Sequence, residues 1–392
     1  MVRRQTLHLN WLFLGSLITN TGISFIWPLT TIYMHEYLHE SLTVSAAVLF
    51  CNSLAMMIGN YVGGRLFDRW KPYPTILMGI GLAALTSGCL IVWHGWPAYP
   101  LFLVAMGFGN GIVITSVNSY ATLATSRRPS FVFNVLYFTS NLGLVIGTLI
   151  VGFVLPHGIS YIFALACLLF SLFFVVALLH FNVEKPVRVK AAAAAGAPEV
   201  APYRLNVALL LTVLFITWIA YEQWQSNISA FMLTPQIGLT VRDYSFLWTV
   251  NASLIVLGQP ILTAFDDWLL RHIRLRLTAG FTLFASSFLV LIVATHYWQF
   301  ILAISILTIG EILALPAVST YVDLYSPRNQ KGRYQGFVQM FASAGRAVGP
   351  LIGALLIEAL SYHILFFMLF VTLLTAVLIF TLRAAAVHLP TK

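Results

Sequence analysis

Long apolar segments, separated by short polar connections, leave this chain few possible folds. Each segment is about 20 residues long or longer, the length that an α-helix needs to cross a bilayer. Lipid offers no hydrogen-bond partners to a backbone, so continuous apolar runs of this kind are expected to be helical. The segments run over residues 7–33, 42–66, 74–93, 98–122, 131–155, 160–181, 205–231, 244–265, 277–295, 299–322, 335–360 and 363–382. The sequence therefore predicts an all-α membrane protein with 12 transmembrane helices.

The placement of charge indicates how the chain is oriented. Charged residues are only 8% of the chain, whereas an ordinary soluble domain has about 25%. If both termini are cytoplasmic, every lysine and arginine except Arg242 and Arg346 lies in a terminus or connection on the cytoplasmic side, or at the cytoplasmic end of an apolar segment. Such an excess of basic residues on one side sets the topology of a membrane protein. The net charge of +9 is therefore assigned to orientation rather than to nucleic-acid binding. We expect a multi-pass protein of the plasma (inner) membrane with both termini in the cytoplasm.

One long polar connection divides the segments into two sets of six. It covers 182–204 and contains several charged residues and an alanine run, a composition typical of a linker. The sequence thus predicts an N-terminal six-helix bundle at 1–181, a cytoplasmic linker at 182–204 and a C-terminal six-helix bundle at 205–392.

The two halves also repeat one another. The corresponding residues are Gly109-Asn110 with Gly310-Glu311, Gly143 and Gly147 with Gly345 and Gly349, and Phe67-Asp68 with Phe265-Asp266. Two parallel repeats of six helices are typical of secondary transporters, which bind their substrate near the membrane midplane between the repeats.

The stretch Gly63-Gly64-Arg65-Leu66-Phe67-Asp68-Arg69 resembles the G-x-L-x-D-R signature of the major facilitator superfamily. Within that superfamily, Gly310-Glu311 is similar to a pair found in drug/proton antiporters of the lactococcal multidrug exporter type. The resemblance implies two pseudo-symmetric six-helix bundles. It also implies a gating motif of Gly64, Asp68 and Arg69, in which the aspartate caps or pairs with a neighbouring helix. The alternative is a solvated ion pair in the loop, which would contribute less than about 1 kcal/mol.

Two positions depart from those drug antiporters. The fourth segment is uncharged near Gly107, where many of them carry an arginine, and Leu136 stands where the lactococcal-type exporter carries an acid. The charged residues that lie well inside a segment occur in the second half instead.

Three of these ionisable residues, Glu222, Glu311 and Arg346, interrupt long apolar runs. A charge at mid-membrane costs roughly 2.5–3.5 kcal/mol, so such residues are candidates for function. Glu311 and Arg346 each lie about eleven residues from one end of their segment, which at 1.5 Å per residue places both near mid-depth. Two interpretations stay open: Glu311 exchanges protons in a central cavity, or it is the fixed counter-ion of its charge partner Arg346.

Glu222 belongs to the most polar and aromatic stretch of any segment. Helical spacing puts Trp218, Tyr221, Glu222 and Gln225 on one face. Aromatic rings and a carboxylate together suit an amphipathic cation. We predict that Trp218, Tyr221 and Gln225 bind substrate and that Glu222, like Glu311, couples transport to protons. The alternative is an aromatic belt at the outer membrane interface.

Small and amide residues complete the candidates. Asn110 and Asn118 are predicted to contact substrate, although each amide within a segment, Asn251 included, is also suited to hydrogen bonding between helices. Small residues at helical spacing let helices approach closely. The residues predicted to pack helices in this way are Gly143, Gly147, Gly345, Gly349 and Pro350.

The sequence contains no nucleotide-binding motif, metal-ligand cluster or hydrolase triad. We therefore expect no catalytic residue, metal or cofactor, and a membrane-embedded sensor or enzyme is a remote alternative. The favoured function is a proton-coupled multidrug antiporter that exports amphipathic compounds by alternating access. It would act as a monomer, with small molecules, protons and the lipid bilayer as its partners. A uniporter or symporter of a sugar, organic acid or lipid is the main alternative.

Overall fold

The structure is a computed structural model that describes residues 7–24, 30, 33–154, 157–183 and 201–386. These residues form fourteen α-helices and one π-helical turn, Tyr33–Tyr37. The first six α-helices are α1 (Leu9–Ser24), α2 (Leu42–Arg69), α3 (Pro72–Val92), α4 (Ala98–Ala121), α5 (Pro129–Val154) and α6 (Ile159–His180). The others are α7 (Ala201–Gln225), α8 (Asn227–Met232), α9 (Val241–Ala264), α10 (Asp266–Arg271), α11 (Ile273–Ile292), α12 (Tyr297–Tyr325), α13 (Lys331–Ala359) and α14 (Tyr362–Ala386).

The apolar segments predicted from sequence reappear as long helices. Within the described ranges, 11 helices are long and apolar enough to cross a membrane, and they correspond to the second to twelfth predicted segments. The first segment begins as α1 and continues through residues 25–29, which lie outside those ranges. The described part of the chain contains no strand. The predicted class, an all-α membrane protein, is confirmed.

Helix ends differ from the predicted ends where polar caps decide them. Helix α9 begins before the predicted residue 244 because Thr240 and Asp243 form a capping box. The Asp243 amide donates to Thr240 Oγ1 at 3.3 Å, and the Thr240 amide donates to Asp243 Oδ2 at 2.8 Å. The short helix α10 was not predicted. It has two acidic residues in its first turn, where negative charge stabilises a helix by interacting with the positive end of the helix dipole.

The helices are grouped into two compact units. The first consists of the described residues within Met1–Pro198 and Ser326–Ser343, and the second of those within Glu199–Tyr325 and Ala344–Lys392. Helix α13 thus begins in the first unit and continues in the second. The predicted linker at 182–204 lies largely outside the described residues, and the predicted domain boundaries stay a prediction.

Each unit has a buried aromatic core. Tyr120 in the first unit and Tyr321 in the second correspond in the sequence repeat, and both are fully buried. The Tyr120 ring meets Phe67 and Phe181 edge to face at 5.1 and 5.2 Å, and its hydroxyl donates to the Phe181 carbonyl at 2.9 Å. Tyr321 packs against Phe380 at 5.7 Å. Such pairs contribute about 0.5–1.5 kcal/mol beyond the burial of their area.

The repeat is also visible in two close helix contacts. A Cβ built on Gly109 of α4 would lie 3.1 Å from the Gly79 carbonyl oxygen of α3, and one built on Gly310 of α12 would lie 2.5 Å from the Gly280 carbonyl oxygen of α11. Corresponding glycines therefore bring corresponding helices into backbone contact, as small residues do in membranes.

The second repeated contact joins α1 to α5 and α7 to α13. A Cβ on Gly143 of α5 would lie 2.6 Å from the Leu17 carbonyl oxygen, and one on Gly345 of α13 would lie 2.6 Å from the Phe215 carbonyl oxygen. The same close approach occurs in each unit, so Gly143 and Gly345 lie where helices pack tightly.

Candidate functional site

Glu311 lies on α12 in the second unit and is 2% exposed. Its Oε2 accepts a hydrogen bond from Nδ2 of Asn251 on α9 at 3.1 Å, and the same Nδ2 donates to Oγ1 of Thr308 at 2.8 Å. The hydroxyl of Tyr221 on α7 donates to the Glu311 carboxylate. A buried carboxylate needs such donors, and here two other helices supply them.

Backbone packing and a proline set the position of Glu311. Pro316 lies inside α12 and has no N–H to donate to the Ile312 carbonyl. One residue further on, the Leu313 carbonyl accepts a hydrogen bond at 2.8 Å from Nε of Arg276, a buried residue of α11. Together with the glycine contact between α11 and α12, this bond holds the segment that carries Glu311.

Glu222 lies on α7, also in the second unit, and is 7% exposed. It packs against α13, where a Cβ on Gly349 would lie 2.9 Å from the Glu222 Cβ. No basic residue is near Glu222 in sequence, but in the fold it interacts electrostatically with Arg346 of α13. Tyr221 interacts with both Glu222 and Glu311. The two acids that the sequence singled out therefore belong to one cluster around Tyr221.

An aromatic group borders these acids. The Arg346 guanidinium carbon lies 4.4 Å from the centre of the Trp218 ring. The Trp218 ring meets the Tyr221 ring edge to face at 5.2 Å, and Tyr221 meets Trp248 at 6.1 Å. Gln225, predicted on the same face, has an exposed side chain. The ring that was predicted to receive a substrate cation is thus in contact with a cation of the protein itself.

Gln223 was not singled out from the sequence, yet it joins α7 to α13. It is fully buried, and its Nε2 donates to the carbonyl oxygens of Ile219 and Gly349, each at 2.8 Å. Its Oε1 accepts a hydrogen bond from Asn227 Nδ2 at 2.7 Å, and the same Nδ2 donates to the Pro350 carbonyl at 3.3 Å. The sequence does not show that α7 and α13 touch, so it could not identify Gln223 as a link between them.

Asn110 and Asn118, the other predicted contacts to substrate, lie on α4 in the first unit. Asn110 is 1% exposed, and its Oδ1 has no hydrogen-bond partner among the described residues. It corresponds to Glu311 in the sequence repeat. Asn118 Nδ2 donates to the Ile114 carbonyl of its own helix at 2.9 Å. Their contact with substrate stays a prediction.

A second correspondence involves Glu222. A Cβ on Gly147 would meet the Ser24 hydroxyl in the first unit, just as a Cβ on Gly349 would meet Glu222 in the second. The positions that hold Glu222 and Glu311 in the second unit are therefore held by uncharged polar residues in the first.

Asp68, of the predicted gating motif, caps the beginning of α13. Its Oδ1 accepts from the Gly332 amide at 3.0 Å and its Oδ2 from the Arg333 amide at 2.7 Å, within the first unit. A helix leaves its first N–H groups without intrahelical partners and is positive at that end, so a carboxylate there is stabilising. A Cβ on Gly64 would lie 2.5 Å from the Gly332 carbonyl oxygen, whereas Arg69 is exposed.

These features define a polytopic helical protein with two buried carboxylates. The Major Facilitator Superfamily profile matches residues 12–346 and 277–391. The chain belongs to the Major Facilitator Superfamily and is a multi-pass membrane transporter. The predicted family and the predicted architecture of two pseudo-symmetric six-helix bundles are confirmed.

Individual relatives agree with this assignment. The uncharacterised MFS-type transporter YttB of Bacillus subtilis (strain 168) is 34% identical over 368 residues, which cover 93% of this chain and 92% of the relative. Multidrug resistance protein 1 of the same organism is 23% identical, over 91% of each chain. Among solved structures, the human organic anion transporter MFSD10 superposes with a TM-score of 0.73 and 14% identity, over 95% of this chain and 98% of that one. The last likeness concerns the fold alone.

Proposed function

We propose that this protein is a proton-coupled multidrug antiporter of the cell membrane, which exports amphipathic compounds by alternating access. The observation that carries the proposal is the pair of buried carboxylates, Glu222 and Glu311, both in contact with Tyr221. Acids within a membrane helix are rare and characteristically mark proton or substrate pathways. The likeness to Multidrug resistance protein 1 of Bacillus subtilis supports the substrate class.

Glu222 and Glu311 carry the protons in the proposed cycle. A proton taken from outside neutralises a carboxylate and weakens the attraction for a bound compound, which then leaves. Release of that proton into the cytoplasm restores the negative charge and the attraction for the next compound. Trp218 and Tyr221 supply the aromatic surface on which an amphipathic molecule stacks. The protein acts as a monomer, with both termini in the cytoplasm.

Asp68 has a gating role in this proposal. Its two hydrogen bonds to the start of α13 stabilise the arrangement in which they form. A conformational change that removes them leaves two helix N–H groups and a carboxylate without these partners, so the bonds favour one state of the cycle over the other.

The proposal is tested with Glu222→Gln and Glu311→Gln in proteoliposomes under an imposed pH gradient. Each amide keeps the shape of the side chain but cannot exchange a proton. We expect both variants to lose proton-driven transport of a lipophilic dye while they keep the thermal stability of the wild type. Glu358→Gln is the matched control because Glu358 is an exposed acid on a membrane helix. Gradient-driven transport that is unchanged in both variants would refute the mechanism.

A second candidate function rests on Arg346, a half-buried cation within α13. It could bind the carboxylate or headgroup of an organic acid or lipid, in which case the protein would be a symporter or uniporter. The wild type would then transport an organic anion, and Arg346→Gln would abolish that transport. In a cation exporter the same substitution does not abolish cation transport.

A further inference from the structure

Arg346 lies over the ring of Trp218, which is part of the surface proposed to bind substrate. The guanidinium carbon lies 4.4 Å from the ring centre, well inside the range of about 6 Å within which a cation is attracted to an aromatic face. Arginine suits this contact because its guanidinium is planar and weakly hydrated, so it stacks on a ring more readily than an ammonium does.

The same guanidinium also interacts with the Glu222 carboxylate. A lipophilic cation needs an aromatic face for stacking and a carboxylate for charge. Trp218 and Glu222 offer these two features next to each other on α7. Arg346 lies over the Trp218 ring and also interacts electrostatically with the Glu222 carboxylate.

The backbone keeps Arg346 in this place. Residues on both sides of it, Gly345 and Gly349, bring α13 against α7 so closely that a Cβ on either would lie within 2.9 Å of an atom of α7. The hydrogen bond from Gln223 Nε2 to the Gly349 carbonyl, at 2.8 Å, adds to this contact. Arg346 therefore does not depend on a flexible loop to reach the ring.

We propose that Arg346 is a resident cation that competes with cationic substrates for the Trp218–Glu222 surface and so sets the charge selectivity of the transporter. The inference rests on the proposed function, since it takes this surface as the place where substrate binds. A bulky monocation must displace the guanidinium, whereas a neutral amphipath needs only a part of the ring. Arg346 thus lowers the affinity for monocations relative to neutral compounds.

The test is equilibrium binding of tetraphenylphosphonium to the purified protein in nanodiscs, at one pH and without a gradient. A cation–π contact contributes about 0.5–2 kcal/mol, so we expect Arg346→Gln to bind this cation about 2- to 30-fold more tightly than the wild type. Arg346→Lys keeps the charge but stacks less well, and its affinity should lie between the two.

A second substitution shows whether the gain depends on the ring. In a Trp218→Leu background, Arg346→Gln should increase the affinity less than it does when the ring is present, because only the release of Glu222 remains. In a Trp248→Leu background, which removes a ring that contacts Tyr221, the gain should persist. If Arg346→Gln does not fold, the comparison of Arg346→Lys with the wild type carries the test, and Lys should bind the cation more tightly.

Equal or weaker binding by Arg346→Gln would overturn the proposal, and so would an equal gain in the Trp218→Leu background. The absence of tetraphenylphosphonium binding in every variant would overturn it as well. None of these results decides whether Glu222 and Glu311 couple transport to protons, because that question is answered by the gradient experiment on their glutamine variants.

Discussion

Gly345→Ala tests whether the contact between α7 and α13 organises the site. The added Cβ would lie 2.6 Å from the Phe215 carbonyl oxygen and 2.7 Å from the Trp218 Cβ. Ordinary van der Waals contact begins near 3.4 Å, so the two helices must separate by about 0.8 Å. A backbone carbonyl cannot turn away as a flexible side chain can, and the strain is therefore not relieved locally.

The magnitude follows from that displacement. Overpacking a tight contact costs about 1–3 kcal/mol. The hydrogen bond from Gln223 to the Gly349 carbonyl, now 2.8 Å, would lengthen beyond hydrogen-bonding distance, and its loss costs about 0.5–1.5 kcal/mol more. We expect a total loss of about 2–4 kcal/mol, together with a longer separation between Arg346 and Trp218.

The assay is thermal unfolding of the purified variants, followed by transport in proteoliposomes. Gly345→Ala should lower the apparent melting temperature by about 2–5 °C and reduce transport. Gly88→Ala is the matched control, since its Cβ would lie an ordinary 3.5 Å from the Cys167 sulfur within a membrane helix. Gly143→Ala, at the equivalent contact of the first unit, should behave like Gly345→Ala. Equal melting temperatures for Gly345→Ala and Gly88→Ala would refute the reasoning.

Substitutions at three further positions test other contacts. Asp68→Ala removes both caps of α13 and should cost about 1–3 kcal/mol and slow transport, whereas Asp68→Asn, which keeps an acceptor, should lose less. Wild-type transport rates in Asp68→Ala would contradict the gating role. Asn251→Leu removes one donor to Glu311, a bond of about 1.5–3 kcal/mol, and should lower proton-driven dye flux about tenfold or more. Flux equal to that of the wild type would argue against Glu311 in coupling. Arg276→Met breaks the bond to the Leu313 carbonyl and should destabilise the protein by about 2 kcal/mol, which unchanged thermal unfolding would exclude.

Apolar runs in the sequence predicted where the helices lie but not where each helix begins and ends. The apolar run predicted at 244–265 located α9 but not its start, which the capping box of Thr240 and Asp243 sets. The run at 205–231 became two helices, α7 and α8, separated at Ser226. Length and apolarity predict that a helix crosses the membrane, because lipid imposes that requirement on every segment alike. Hydrogen bonds of particular polar residues decide where the helix stops.

For the candidate site, the sequence identified several of the residues but not the contacts between them. Glu222, Glu311 and Arg346 could be named from sequence because a charge within an apolar run is conspicuous. The sequence left open whether Arg346 is the counter-ion of Glu311. The fold brings Arg346 to Trp218 and into electrostatic interaction with Glu222. Gln223 escaped notice because the bond that joins α7 to α13 goes to the Gly349 carbonyl, which is far away in sequence.

The sequence by itself determined the helical class, the number of membrane segments, the internal repeat and the family. All of these depend on composition and spacing along one chain in a solvent that permits few backbone structures. Only the tertiary structure decided which charged and aromatic side chains meet. That outcome depends on the rotation and crossing of helices, which close backbone contacts such as those at Gly310 and Gly345 constrain. A shift of one residue along any of these helices would turn its side chains by about 100° and produce a different site.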